Sequence, residues 1–171
     1  MGRGATKATG NPWFEARKEA AKYNDKLSSR EGAAELLGMS VSSVADAELG
    51  LTKCMPPDKA ALMADLYNAP ELLNYYCLHE CPIGCNRPIS DEVVSIERIT
   101  VKLLKSMRIE KLRELKDKLI DIAEDGMITE EEKPDLEEIL EYLDSVSKTV
   151  SELKIIGEKA LKGGRKRGQE E

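Results

Sequence analysis

Apolar positions spaced by three and four residues organise this chain into helices, in two halves of different character. In the second half the spacing predicts two long helices. The first runs from about Asp91 to Asp125, capped by Ser90-Asp91-Glu92, with Ile96, Ile99, Leu103, Met107, Leu112, Leu115, Leu119 and Ile122 as its apolar positions. The second runs from about Glu130 or Pro134 to Leu161. Its Leu136, Ile139, Leu143, Val146, Val150 and Leu153 keep a strict three-four alternation, which Gly157 and Ala160 continue. Such a heptad seam must be buried against something. An antiparallel hairpin over 91–161 buries part of it, and dimerisation into a four-helix arrangement is the natural completion.

The first half predicts five shorter helices. Asn11 caps the first, with Pro12 at its first position, and it runs to about Asn24. Its stripe of Trp13, Phe14, Arg17, Ala20 and Ala21 faces the helices that follow. Leu27-Ser28-Ser29 leads into an Ala-rich run, Gly32 to Leu37, that stops at Gly38, the residue best able to close a helix in the left-handed conformation. Only Met39 separates that stop from Ser40, an N-cap residue. A third helix, Ser40–Leu49, carries Val41, Val44 and Ala45 on one side and ends at Gly50. Pro57 opens a fourth, Asp58–Asn68; Ala69-Pro70 marks a boundary, and Glu71–His79 gives a short fifth. The Pro and Gly density after it predicts a Cys/Pro linker at 81–90. At the ends, the Gly- and Thr-rich 1–11 reads as disordered and the charged 162–171 as a flexible tail.

Two helices hinged at Gly38, with Ala33 and Ala34 small enough for close crossing, form a helix-turn-helix. Ala34, Leu37, Gly38, Met39, Ser40, Val44, Glu48 and Gly50 match a small residue, L-G-V-S at the turn, and I…E-x-G at the end of the recognition helix. On these residues the stretch resembles the lambda-repressor-like (Xre family) DNA-binding domain, over 12–80. The whole chain also looks like Xre-type regulators common in Firmicutes and mobile elements. There, a segment like Met63 to Leu72 runs into a Tyr- and Cys-rich stretch ending in Cys-Pro-Ile-Gly. The expected fold is therefore all-α: a five-helix lambda-repressor-like domain of 12–80, the linker, then the long hairpin.

Composition changes this picture little. Among 171 residues aromatics are only 4%, with one Trp and one Phe, so the core is built from Leu, Ile, Val, Ala and Met. No run reaches the length of a membrane span, and 1–11 has no signal peptide's apolar stretch. Four cysteines do not suggest a disulfide scaffold. The expected compartment is the cytoplasm.

Charge cuts against the resemblance. The net charge is −6, whereas nucleic-acid binders are usually basic. Residues 1–30 hold Arg3, Lys7, Arg17, Lys18, Lys22, Lys26 and Arg30 against Glu15, Glu19 and Asp25, whereas 31–86 hold only Lys53 and Lys59 against eight acids. A local basic edge steers a protein to phosphate even when the whole is acidic. A solvated first helix with ordinary charges accounts for the same residues.

The resemblance implies that the start of the third helix enters the major groove of double-stranded DNA, and that the start of the second meets phosphate. Carried over, the groove set is Ser40, Val41, Ser42, Ser43 and Asp46, with Arg30 at the start of helix two and Lys53 beyond helix three. Ser42 and Ser43 offer hydrogen bonds to base edges or phosphate, and Val41 a surface for a thymine methyl. The third helix carries no Arg, Gln or Asn on its exposed face, and Asp46 repels phosphate.

Cys77, Cys81 and Cys85 follow at four-residue intervals, and Cys54 precedes Pro56-Pro57. Four thiolates can hold zinc, and a thiol pair can act as a redox switch, but the C-x-x-C pairs of a zinc site are missing. Buried cysteines at a helix end explain the same spacing. Asp121 to Glu132 has an EF-hand loop's Asp, Asp, Gly and Glu at positions one, five, six and twelve, with Ala123 where position three needs an oxygen. A turn closed by Gly126 and capped by Thr129 with Glu132 accounts for it without calcium. His79 has no partner motif, and no phosphate loop or nucleophile elbow occurs. The expectation is a DNA-binding transcriptional regulator, without catalysis, cofactor or small-molecule substrate, homodimeric through the hairpin. Two alternatives stay open: a protein-interaction module whose helix-turn-helix no longer reads DNA, and a thiol- or metal-responsive regulator.

Overall fold

The computed structural model describes residues 7–124 and 126–167. These form eight α-helices: α1 (Pro12–Ala20), α2 (Arg30–Leu37), α3 (Val41–Glu48), α4 (Pro57–Leu66), α5 (Glu71–His79), α6 (Ile96–Ser106), α7 (Ile109–Ala123) and α8 (Lys133–Arg167). No strand occurs among the described residues. The chain divides into two units, one of residues 1–87 with 157–171, the other of 88–156.

In the first unit each short helix is punctuated as its sequence dictates. The Asn11 side chain accepts from the Trp13 and Phe14 N–H groups, and Pro12 sits at the first turn of α1. Gly38 ends α2 with φ +60°, the left-handed cap, and the Ser40 hydroxyl accepts from the Ser43 N–H to open α3. Helices this short are held by packing, not by propensity. Trp13, Leu27, Val44, Met63 and Leu72 are all at most 2% exposed and share one core with Ala33, Ala34 and Ala60. The alanines permit close crossings of α2 with α3 and of α2 with α4.

Several expected boundaries move. The chain is not disordered throughout 1–11: residues 7–10 form a turn, Ala8 is buried, and Asn11 N–H bonds to the Ala8 carbonyl at 3.0 Å. Residues 1–6, with Arg3, lie outside the described residues. α1 stops at Ala20, because Asn24 turns to accept from the Lys26 N–H and starts a short 3-10 turn, Asp25–Ser28. Most of the expected linker belongs to the first unit. Cys81 carbonyl accepts from Gly84 and Cys85 N–H, and Gly84 lies so close to α5 that a Cβ there would sit 2.4 Å from the Cys77 carbonyl oxygen. The expected flexible tail is helical through Arg167. Lys159 pairs with Glu71 at 2.6 Å and Lys162 with Asp65 at 2.9 Å; residues 168–171 lie outside the described residues.

In the second unit the long helix expected from Asp91 to Asp125 is two helices, and it starts later. Ser90 is engaged in a turn, its hydroxyl accepting from Glu92 N–H and its own N–H donating to Ser151 Oγ. Ser95, not Ser90, caps α6. At the other end Met107 N–H and the Ser106 hydroxyl both donate to the Leu103 carbonyl, and the Tyr142 hydroxyl takes the Ser106 carbonyl. With these carbonyls satisfied, Arg108 turns extended (ψ 131°) and α7 begins at Ile109. No Gly or Pro marks this break.

Ile99 is fully buried on α6, while Leu115 and Ile122 of α7 meet Ile139 of α8, flanked by Leu136 and Tyr142. Paired positions run in opposite directions: Ser106 with Tyr142, Lys111 with Glu138, Lys118 with Asp135. Between α7 and α8, Gly126 takes φ +72° and Glu132 reaches back to the Thr129 N–H and hydroxyl, both at 2.8 Å, the reciprocal half of a capping box. The heptad seam of α8 is only partly covered. Ile139 is buried, whereas Leu143 is 53% exposed and Val150 37%.

Candidate nucleic-acid interface

α3 is fixed on one side and open on the other. Val44, Ala47 and Glu48 face inward with at most 2% exposure, while Ser40, Val41, Ser42, Ser43 and Asp46 are exposed. The three serines share one hydroxyl cluster: Ser40 Oγ lies 3.0 Å from Ser42 Oγ and 2.7 Å from Ser43 Oγ. Val41 leaves its side chain in water at the first turn of the helix.

What fixes the inner side is a buried ion network. Arg17 of α1 grips the fully buried Glu48 through Nε at 2.5 Å and Nη2 at 3.1 Å. Its Nη1 donates to the Leu27 carbonyl at 2.8 Å, tying in the turn before α2. Arg30 Nε, at the start of α2, donates at 2.7 Å to Glu48 Oε2, the oxygen that Arg17 Nη2 also holds. A carboxylate taken out of water is tolerable only when its oxygens are paired in this way. One residue of α3 therefore registers α1, α2 and α3 together. Beside it the Tyr67 hydroxyl has no hydrogen-bond partner among the described residues, and its pKa is raised, first by burial and then by the Glu48 charge.

A second inward carboxylate secures the loop after α3. Glu80 accepts from Met55 N–H at 2.8 Å and Trp13 Nε1 at 3.2 Å, so the loop and α1 are held to the end of α5. Two of the eight acids of 31–86 thus face inward and contribute less to the outer field than their number suggests.

The expected site residues fall in four places. Ser40, Ser43 and Asp46 line a cleft of about 450 Å³ with Thr52, Cys54 and Lys59. Val41 and Ser42 are exposed at the α3 start, and Lys53 is exposed on the loop. Arg30 is not a free phosphate hand, because its Nε belongs to the Glu48 pair and its side chain is 32% exposed.

All four cysteines are free thiols. Cys54 Sγ lies 3.7 Å from the Glu80 carbonyl and Cys85 Sγ 3.4 Å from that of Pro82. Among the described residues, no group of three or more His, Cys, Asp or Glu side chains is arranged to hold a metal ion. His79 stacks on Tyr75, with ring centroids 4.6 Å apart. No helix among the described residues is long and apolar enough to cross a membrane.

The roles of Arg17, Glu48 and Glu80 are not read from the sequence. The signal for the first two is present, since each places a charge on an otherwise apolar helix face, one positive and one negative, as a buried pair requires. No protein-family model, curated protein or solved structure matches this chain.

Proposed function

We propose that the chain is a DNA-binding transcriptional regulator of the lambda-repressor-like (Xre) kind, acting in the compartment that holds the DNA, with α3 as the helix that enters the major groove. The observation that carries the reading is the division of α3 into a clamped inner side and a bare first turn. A reading helix must be rigid and must present its N-terminal side chains, and these two properties meet here. Ser42 and Ser43 supply hydroxyls for base edges or phosphate, and Val41 an apolar surface for a thymine methyl. Lys53 adds an exposed cation for phosphate, while Arg30 stays committed to Glu48.

A second reading has its own observation. Asp46 is exposed one turn after Ser42 and Ser43 and lines the cleft beside them, a poor neighbour for phosphate and a good one for a basic or hydrogen-bonding protein segment. On that reading the same rigid turn serves as a protein-interaction module.

Fluorescence anisotropy separates the two. The full chain is titrated into DNA from upstream of its own gene and into a scrambled duplex across a salt series. A regulator binds the upstream duplex more tightly and shows a salt slope set by its phosphate contacts, and Lys53→Ala reduces that slope by about one. Absence of binding to either duplex at low salt, from folded protein, would overturn the DNA reading for that sequence and leave the interaction module.

A further inference from the structure

The two flanks of the α7–α8 pair are unlike. At about 100° per residue, Lys111 and Lys118 fall on one side of the Leu115–Ile122 line of α7, and Leu112 and Leu119 on the other. On α8, Asp135 and Glu138 fall to one side of Ile139, and Leu140 and Leu143 to the other. Because paired positions run in opposite directions, the two charged flanks meet on one side of the pair and the two leucine flanks open together on its other side. The charged side is closed: Lys111 reaches Glu138 at 2.5 Å, and Lys118 reaches both Asp135 and Glu138. The leucine side is bare, with Leu112 42%, Leu119 49%, Leu140 52% and Leu143 53% exposed. A contiguous apolar face of this kind marks an interaction surface.

We propose that this face is covered by the same face of a second copy of the chain, α7 of each lying along α8 of the other. The rims of the face choose the occupant. Beyond the leucines, the α7 rim carries exposed Arg113 and Lys116, and the α8 rim carries exposed Glu137 and Asp144, with Lys133 at its start paired to Glu130. One basic rim and one acidic rim make the surface complementary to itself. A two-fold axis parallel to the helices places each basic rim on the partner's acidic rim and leucine on leucine. The opposite stacking, α7 on α7, would set like charges together. The result is a four-helix layer in which the exposed part of the α8 seam is covered. This assembly does not depend on the DNA reading, and its test uses no DNA.

Sedimentation equilibrium of the full chain should give twice the chain mass. Leu143→Glu should return it to one chain mass with unchanged helical circular dichroism, since the side chain is already half in solvent. The deciding experiment mixes two charge-reversed variants, Arg113→Glu/Lys116→Glu and Glu137→Lys/Asp144→Lys. Each alone faces like charges across the interface and should dimerise about tenfold or more weakly than wild type. An equimolar mixture pairs opposite charges at both contacts and should regain the dimer. A wild-type chain that sediments as a monomer at every concentration overturns the proposal. So does a dimer indifferent to Leu143→Glu, or a mixture that dimerises no better than its components.

Discussion

The first and second units each bury a carboxylate, and they hold it differently. Glu48, fully buried, meets two arginines, one of them itself only 4% exposed at its side chain. Glu152 is 2% exposed and meets one lysine, Lys102, whose side chain is 46% exposed. The same contrast runs through the packing. One core gathers residues from α1 to α5 around Trp13, whereas α7 and α8 share a few apolar side chains and leave large ones in water. The first unit fixes α3 on its inner side with a shared core and a buried ion network, and the second leaves one apolar flank of α7 and α8 in water.

Removing the two carboxylates tests the contrast where it is largest. Glu48→Ala leaves Arg17 buried without its partner, and breaking a buried pair in this way costs about 3–5 kcal/mol. Glu152→Ala leaves Lys102 free to turn into water, with a cost of about 1 kcal/mol or less. The only Trp is Trp13, buried in the first unit, so its fluorescence during urea unfolding reports that unit while far-ultraviolet circular dichroism reports all helices. Equal losses for the two variants would remove the distinction.

Leucines of equal size make the next test. Leu72 is 1% exposed in the first core and Leu104 is 69% exposed on α6. Leu72→Ala should cost about 2–5 kcal/mol, through lost burial and the cavity it leaves. Leu104→Ala should stay within about 0.5 kcal/mol of wild type. A Leu72→Ala chain with an unshifted Trp13 transition would mean that this core is looser than its burial implies.

The sequence makes the first unit far more legible than the second, for a physical reason. Asn11, Gly38 and Ser40 act through their own backbone or the next few residues, so their signals are local: α1 and α3 begin, and α2 ends, where the caps stand. The break at Met107 is set by Tyr142, which lies on a different helix, and KSMRIE contains no residue that ends a helix by itself. Ser90, followed by Asp91 and Glu92, has the residue pattern of a cap. Its bond to Ser151 makes it a tether, and Ser95 takes the cap. The position of Arg30 at the start of α2 predicts a phosphate contact, whereas its pairing with Glu48 depends on the end of α3 arriving beside it. The exposed serines and Val41 are legible as candidates because they need only the helical period; the cleft that Ser40 and Ser43 share with Lys59 is not, because it needs the tertiary fold.

The smallest expected effect concerns the closed, charged flank of α7 and α8. Hydrogen bonds from Lys111 and then Lys118 hold the Glu138 carboxyl down to about 2, below its ordinary 4.5. Lys118 is raised in turn, first by Asp135 and then by Glu138. A carboxyl whose folded pKa lies below its unfolded one stabilises the fold fully above the unfolded value and loses that contribution as pH falls from 4.5 toward 2. The lysines add stability that is present below 10.5 and lost as pH rises beyond it. These groups stand at the surface, so the effect is modest and salt weakens it. Glu138→Gln should therefore flatten the acid limb of the helical signal at low salt and leave the Trp13 signal of the first unit unchanged. At high salt, variant and wild type should converge. An acid limb of the helical signal that is identical in both chains at low salt would mean that the α7–α8 contact rests on Leu115, Ile122 and Ile139 alone, with the charged flank adding nothing.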